Sequence, residues 1–374
     1  MTKILLTGGG TGGHIYPLLA VGQDILKITN GNVEIVYMGP KSPINVEFEN
    51  YGIRVYQIVS SKWRRYFSVQ NILDIPKFFW GILQALFKLY FLMPSVVFSK
   101  GGPGALPVVL AARFYFIPVI IHESDAIPGL TNRLSAKFAK RIAIAWKGAA
   151  KYFPIKKTAL VGNPIRPRLL DSELDGRAAK ERLGFSGDLP LILIWGGSQG
   201  AMKINALVMD NLEKLISEFQ IFHQAGPNNF KEVSSTVQGV LRELSESSRK
   251  KYKLVDYLDA SDLSLALNAA DVIISRAGAS SISEIAAFGK PSILVPLDSA
   301  ANDHQGANAY EYAETGAAVV IEEENFTINI VLDQIKNILG SEERMRMMRE
   351  AAKNFSKPNA ARVIAEEILR LAAK

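Results

Sequence analysis

At 374 residues, with 48% hydrophobic and 21% charged positions, the chain is too long for one ordinary core and too apolar to be disordered. It contains no cysteine, which excludes disulfides and thiolate metal clusters, and its 4 histidines (His14, His122, His223 and His304) lack metal-site spacings such as H-E-x-x-H. The net charge of +7 attracts polyanions in general, but most lysines and arginines are scattered like a solubilising surface, and no nucleic-acid partner is expected.

Met1-Thr2-Lys3 leads straight into Ile4-Leu5-Leu6, a short first strand (3–7) rather than the charged start and long apolar stretch of a signal peptide. Gly8-Gly9-Gly10-Thr11-Gly12-Gly13-His14 follows, and 17–28 has helical spacing. Glycines let the backbone turn tightly and approach an anion, and a helix N-terminus favours negative charge. Gly8, Gly10 and Gly13 also satisfy G-x-G-x-x-G, which raises a nicotinamide cofactor. That reading needs an acid at the carboxyl end of the second strand. Strand 33–38 ends in Met38-Gly39-Pro40 with Glu34 at its other end, so the dinucleotide reading fails and no cofactor is expected.

A strand at 55–59 precedes Lys62-Trp63-Arg64-Arg65-Tyr66-Phe67, a cationic and aromatic mixture suited to an interfacial anchor on anionic lipid. The apolar stretch 72–98 is broken by Lys77, Gln84, Lys88 and Pro94, so no transmembrane segment is expected. Residues 72–93 are apolar almost all round and read as a buried helix of the first domain, with a partly exposed apolar face as the alternative. Further strands fall at 96–99 and 119–121. Gly162-Asn163-Pro164-Ile165-Arg166-Pro167-Arg168, with its prolines, is the natural joint.

The pattern then restarts. Strand 191–195 precedes a second glycine loop, Gly196-Gly197-Ser198-Gln199-Gly200, with a helix from about Ala201. Strands at 220–223, 272–275 and 292–295 follow, with 285–288 on a helix between the last two. Ser275-Arg276-Ala277-Gly278-Ala279-Ser280-Ser281-Ile282-Ser283-Glu284 runs from strand to helix, and Glu284 can accept two ribose hydroxyls or cap the helix. Asp303-His304-Gln305 reads as a polar loop. Pro358 interrupts a charged helix, and Asn359 is expected to cap a last amphipathic one at 360–372. The expected architecture is α/β: two doubly wound Rossmann-like domains, 1–163 and 164–374, facing a cleft, with the last helix a candidate to pack back on the first domain.

Taken in order over nearly the whole chain, these segments resemble the MurG family and its two-domain GT-B architecture. The resemblance rests on Gly8–His14 with Ile15-Tyr16-Pro17, Ser99-Lys100-Gly101-Gly102, His122-Glu123-Ser124-Asp125, and Pro128-Gly129-Leu130-Thr131-Asn132. It continues through Gly162–Arg166, Gly196–Ala201, Ser275–Glu284 and His304-Gln305. It implies inverting transfer of N-acetylglucosamine from UDP-GlcNAc to the muramoyl-pentapeptide diphospho-undecaprenol lipid of cell-wall synthesis. It also implies an enzyme on the cytoplasmic face of the membrane, peripheral to an anionic inner leaflet. Carried over residue by residue, the donor contacts are Thr11, Gly12, Gly13, Asp125, Arg166, Ser198, Leu258, Ala279, Ser280, Ser281, Ile282, Ser283, Glu284 and Gln305. Among these, Glu284 holds the ribose, and Arg166 and Ser198 the diphosphate. Asp125 stands where many members have asparagine, and Pro103 and Ala105 replace an aromatic residue and a serine in a loop thought to help hold the acceptor.

Displacing UDP requires stabilisation of the leaving diphosphate and deprotonation of the acceptor hydroxyl. Helix N-termini and Arg166 can supply the first without a metal, and no D-x-D pair is present. His14 is the first candidate base, since an imidazole of ordinary pKa near 6.5 is available as a proton acceptor at pH 7. Glu123 and His122 are its rivals, and His14 has the alternative of bonding its own loop or binding the acceptor diphosphate. Other readings are a different lipid-directed GT-B transferase, a UDP-GlcNAc epimerase of related fold, or a non-catalytic UDP-sugar-binding protein.

Overall fold

The computed structural model describes residues 2–60, 69–171, 174–197, 200–298 and 303–373. The expected anchor at 62–67 lies outside the described residues, as does Ser198.

Contacts divide the chain into two compact units, Met1–Pro167 with Lys357–Lys374, and Arg168–Ser356. The first unit carries β1 (Thr2–Thr7), β2 (Val33–Gly39), β3 (Arg54–Gln57), β4 (Val96–Ser99), β5 (Val119–Glu123), β6 (Arg141–Ile144) and β7 (Thr158–Leu160). They form one parallel sheet in the order β3-β2-β1-β4-β5-β6-β7. The second unit carries β8 (Leu191–Trp195), β9 (Gln220–Gln224), β10 (Tyr252–Val255), β11 (Val272–Ser275), β12 (Ser292–Leu294) and β13 (Ala318–Val320). Its order, β10-β9-β8-β11-β12-β13, repeats the same winding, again all parallel. Each sheet is therefore doubly wound, and each has a switch point where the strand order reverses: between β1 and β4, and between β8 and β11.

The physical cause is visible in burial. Leu191–Trp195 is buried at every position, as a strand covered on both faces must be. Two separate apolar clusters cover the two faces of each sheet, one pair in the first unit and one in the second. Part of the first unit's core arrives from the far end of the chain. Ala361, Ile364, Ala365, Ile368 and Leu371 of the helix Ala360–Ala372 pack with Leu18, Val21 and Ile25 of the helix Gly12–Ile28.

Several expectations need correction. β6, β7, β10 and β13 were not foreseen, and the strand expected at 55–59 runs Arg54–Gln57. Asn359 occupies the cap position of the last helix, but its side chain makes no capping bond. His304 and Gln305 stand in the first turn of the helix His304–Ala313 rather than on a loop. The largest correction concerns the helix Val69–Leu92. It is not buried for most of its length. Gly81, Ala85, Leu89 and Leu92 form a narrow buried stripe, while Phe79, Trp80, Leu83, Phe87, Tyr90 and Phe91 are each more than half exposed. By length and composition alone, the stretch Asp74–Leu92 is also apolar enough to cross a membrane, despite its interruptions.

Candidate functional site

At the first switch point the chain leaves β1 through the glycine loop and enters the helix Gly12–Ile28, so Gly12 and Gly13 lie in its opening turn. Tyr37 Oη donates to the Gly8 carbonyl at 3.3 Å and Ser42 Oγ to the Gly10 carbonyl at 2.7 Å. These bonds hold the loop while the first amides of the helix have no partner within it. The turn after β4 lies directly on this loop. Gly102 has φ +85°, and a Cβ there would come within 2.9 Å of Gly9 backbone and 3.1 Å of His14 Nε2.

His14 is half-buried, with Nδ1 2.9 Å from Thr11 Oγ1. If Nδ1 carries the proton, Nε2 is left as a free base facing Gly102. Burial, and next the Lys100 charge, hold His14 down to about 4, with Asp125 pulling the other way. Lys100 is itself 1% exposed, and its ammonium donates to Ser124 Oγ at 2.6 Å and Asn163 Oδ1 at 3.2 Å. Burial pushes this ammonium down to about 8 against the pull of Glu123 and Asp125.

The two rival bases are engaged elsewhere. Glu123 accepts from the Asp125 amide at 3.0 Å, the Gly129 amide at 3.2 Å and Asn132 Nδ2 at 3.0 Å, so its carboxylate organises the loop after β5. Burial and the neighbouring Asp125 raise it to about 7. His122 is 0% exposed, with Nε2 2.9 Å from the Gly162 carbonyl and its pKa driven well down by burial. Arg166 stacks its guanidinium 4.8 Å from the Tyr16 ring centroid, beside the start of the first helix.

The second switch point repeats the design. Gly196 and Gly197 follow β8, and the helix Met202–Asp210 begins just beyond the loop. After β11, Arg276 pairs with Glu323 at 2.5 Å and donates to the Val295 and Pro296 carbonyls at 3.2 and 3.3 Å, which pins the chain leaving β12. The helix Ala279–Ala287 follows, capped at Gly278. Ser280, Ser281 and Ser283 are partly exposed at its start, although Ser283 Oγ donates to the Ala279 carbonyl at 2.7 Å. Glu284 lies beyond the opening turn and is 2% exposed, so it is not a capping acid. Gln305 Oε1 accepts from the Leu297 amide at 3.2 Å. The side chains of Leu258, Ala279 and Ile282 are buried, and Leu258 belongs to the core, so it offers a ligand no side-chain surface.

One electrostatic feature is common to the helices at the switch points, though it is not confined to them. Those starting at the switch points (Gly12–Ile28, Ala105–Phe114, Met202–Asp210 and Ala279–Ala287) have no acid in the first turn. Of the helices that start elsewhere, Leu212–Glu218, Phe230–Arg242 and Glu342–Phe355 carry one there, whereas Gly176–Arg182, Ile328–Leu339 and Ala360–Ala372 do not. An uncompensated positive helix end suits a bound anion. Among the described residues, no three His, Asp or Glu side chains are grouped to hold a metal ion. Sequence reasoning assigned no role to Lys100, Asn163 or Arg276; a lysine immediately after a buried strand and before a glycine pair was the available signal for the first.

Two descriptions match the chain: the glycosyltransferase family 28 N-terminal domain over residues 4–144 and its C-terminal domain over 191–365. The UDP-N-acetylglucosamine–N-acetylmuramyl-(pentapeptide) pyrophosphoryl-undecaprenol N-acetylglucosamine transferase of Clostridium kluyveri is 37% identical, covering 100% of this chain and 99% of that protein. The protein of the same description from Clostridium tetani is 36% identical over 91% of each. Among solved structures, Acinetobacter baumannii MurG superposes with a TM-score of 0.74 at 27% identity, covering 99% of this chain and all (100%) of that one. A UDP-GlcNAc 2-epimerase from Neisseria meningitidis shares the fold at a TM-score of 0.68 and 14% identity, covering 99% of this chain and 100% of its own.

Proposed function

The chain belongs to the MurG family of family 28 glycosyltransferases, and from that premise we infer that it transfers N-acetylglucosamine from UDP-GlcNAc to undecaprenyl-diphospho-muramoyl-pentapeptide, inverting the anomeric carbon. The observation that carries this reading is the repeated switch point: a glycine loop leading into a helix N-terminus in each unit of a chain alignable end to end with such transferases. We assign the acceptor and the membrane to the domain expected at 1–163, and the donor to that expected at 164–374.

In the reaction, the acceptor oxygen attacks the anomeric carbon as the bond to UDP breaks. His14 Nε2 takes the hydroxyl proton, and its environment keeps it unprotonated at pH 7. Negative charge growing on the departing diphosphate is met by helix N-termini, Arg166 and Ser198. In the first unit we assign donor contacts to Thr11, Gly12, Gly13 and Asp125. In the second we assign them to Leu258 through its backbone, residues 279–283, Glu284 on the ribose, and Gln305. No metal takes part in this scheme.

The acceptor's lipid requires a membrane surface, and we assign docking on the inner, cytoplasmic leaflet to the exposed aromatic face of the helix Val69–Leu92 together with the basic run at 62–67. Tyr115 Oη donates to the Leu86 carbonyl at 3.2 Å, which brings the exposed Phe114 and Phe116 alongside that helix.

UDP release from UDP-GlcNAc, with and without a detergent-solubilised acceptor analogue in excess EDTA, tests the reaction. Acceptor-dependent release supports the scheme. Product from the donor alone would indicate an epimerase, and donor binding without turnover a binding protein.

A further inference from the structure

His223 lies on β9 with 0% exposure, and both of its ring nitrogens are bonded. Nδ1 is 2.8 Å from Tyr252 Oη, and Nε2 is 3.0 Å from Asn205 Oδ1. Asn205 fixes the direction of the chain. Its Nδ2 donates to the Ala225 carbonyl at 2.9 Å, so the atom facing the histidine is an oxygen and can only accept. His223 therefore carries its proton on Nε2, and Nδ1 accepts a hydrogen bond from the Tyr252 hydroxyl. Burial holds the imidazole down to about 3, so it stays neutral. The result is a one-way series of hydrogen bonds from the edge strand β10, through β9, to the helix Met202–Asp210, ending on the carbonyl of Ala225.

Gly200, at the end of the second glycine loop, packs against that carbonyl. Gly200 has φ +77°, and a Cβ there would strike the Ala225 oxygen and come within 2.7 Å of Asn229 Nδ2. Asn229 Nδ2 donates to the same carbonyl at 3.2 Å. The Gly200 amide closes a turn on the Gly197 carbonyl at 3.0 Å, and the Asn205 amide bonds Ala201 at 2.9 Å. The backbone at the end of the loop and the first turn of its helix are thus held to the sheet through one carbonyl. Three apolar side chains would fill the same space without desolvating polar atoms. What the hydrogen bonds add is direction, and therefore a fixed position for the loop.

We propose that Tyr252, His223 and Asn205 form a positioning relay for the donor diphosphate, fixing Gly200 and the N-terminus of the helix behind it. The inference rests on the reading of that loop as part of the UDP-sugar site. None of the three residues touches substrate in this proposal. They act on donor affinity through Ala225 and Gly200.

The test uses the full chain and UDP as the probe. Tyr252→Phe removes one hydroxyl and keeps the ring. Calorimetric titration is expected to show UDP binding weakened about fivefold, on the order of one neutral hydrogen bond. KM for UDP-GlcNAc should rise with it, while KM for the acceptor and kcat at saturating donor stay as in the unsubstituted chain. Nitrogen-15 NMR of the unsubstituted chain is expected to show His223 as the Nε2–H tautomer. If Tyr252→Phe binds UDP as well as the unsubstituted chain, the relay is overturned and the transferase reading stands. The same holds if its donor and acceptor constants worsen together with a lowered Tm, or if His223 is the Nδ1–H tautomer. An unsubstituted chain that binds no UDP would overturn the donor-site reading and this inference with it.

Discussion

At His14 the controlling quantity is the proton affinity of one ring nitrogen. With its pKa held near 4 by burial and by Lys100, the imidazole proposed as the base is unprotonated across the neutral range. The rate constant kcat/KM should therefore fall only as the pH drops through about 4, not through the ordinary imidazole value of 6.5. Lys100→Met removes a charge that lowers His14, so this acid limb should move upward in pH. His14→Ala should lower kcat by about 10²–10⁴-fold while calorimetric UDP binding is little changed. A limb unmoved by Lys100→Met, or nearly full activity in His14→Ala, would count against His14 as base. The candidacy of His14 was legible because a histidine ending a glycine loop is conspicuous. The environment that lowers its pKa was not, since Lys100, Ser124 and Asn163 are far apart in the chain and meet only through the sheet. His223, Tyr252 and Asn205 were illegible for the same reason: each alone is an ordinary core or strand residue.

Among the elements, most central strands announce themselves and most edge strands do not, although the internal β6 was missed and the edge strand β3 was foreseen. Leu191–Trp195 and Val272–Ser275 are buried at every position and, but for the terminal Ser275, unbroken in apolar character. Thr158–Leu160 and Ala318–Val320 are short edge strands with at most one buried residue each, so no apolar run distinguishes them from loop. The helix Val69–Leu92 failed for the opposite reason. Apolar residues all round it left no polar face from which to choose between burial and exposure, and only packing shows that Ala85 and Leu89 face the core while Phe87 and Phe91 do not. Phe87→Gln with Phe91→Gln should leave the Tm within a few degrees, because both side chains are 67% exposed, and should reduce sedimentation with anionic vesicles. Unchanged vesicle binding would exclude this face as the docking surface. Ala85→Glu, placing a carboxylate in a fully buried position, should instead lower the Tm.

For the whole molecule, the division into units does not follow the order of the chain. The stretch Lys357–Lys374 belongs to the first unit, where Ile364 and Ile368 are at most 2% exposed against the helix Gly12–Ile28. Deleting 357–374 should therefore unsettle the first unit and spare the second. Amide exchange should rise across β1, β2 and the helix Gly12–Ile28, while β8, β9 and β11 keep their protection. A uniform change in both units would contradict this. Replacing Ile368 alone by Ala should cost about 2–5 kcal/mol of the first unit's stability.

The returning helix also bears on how the molecule is made. Domains commonly fold in the order in which they leave the ribosome. Here the unit that begins first cannot finish first, because one wall of its core is translated only after Arg168–Ser356 has emerged. The second unit is continuous in sequence and can close as soon as it is complete. Until then the apolar surface around Leu18 and Ile25 stays uncovered in the nascent chain, and a factor that shields it would have to act throughout synthesis of the second unit.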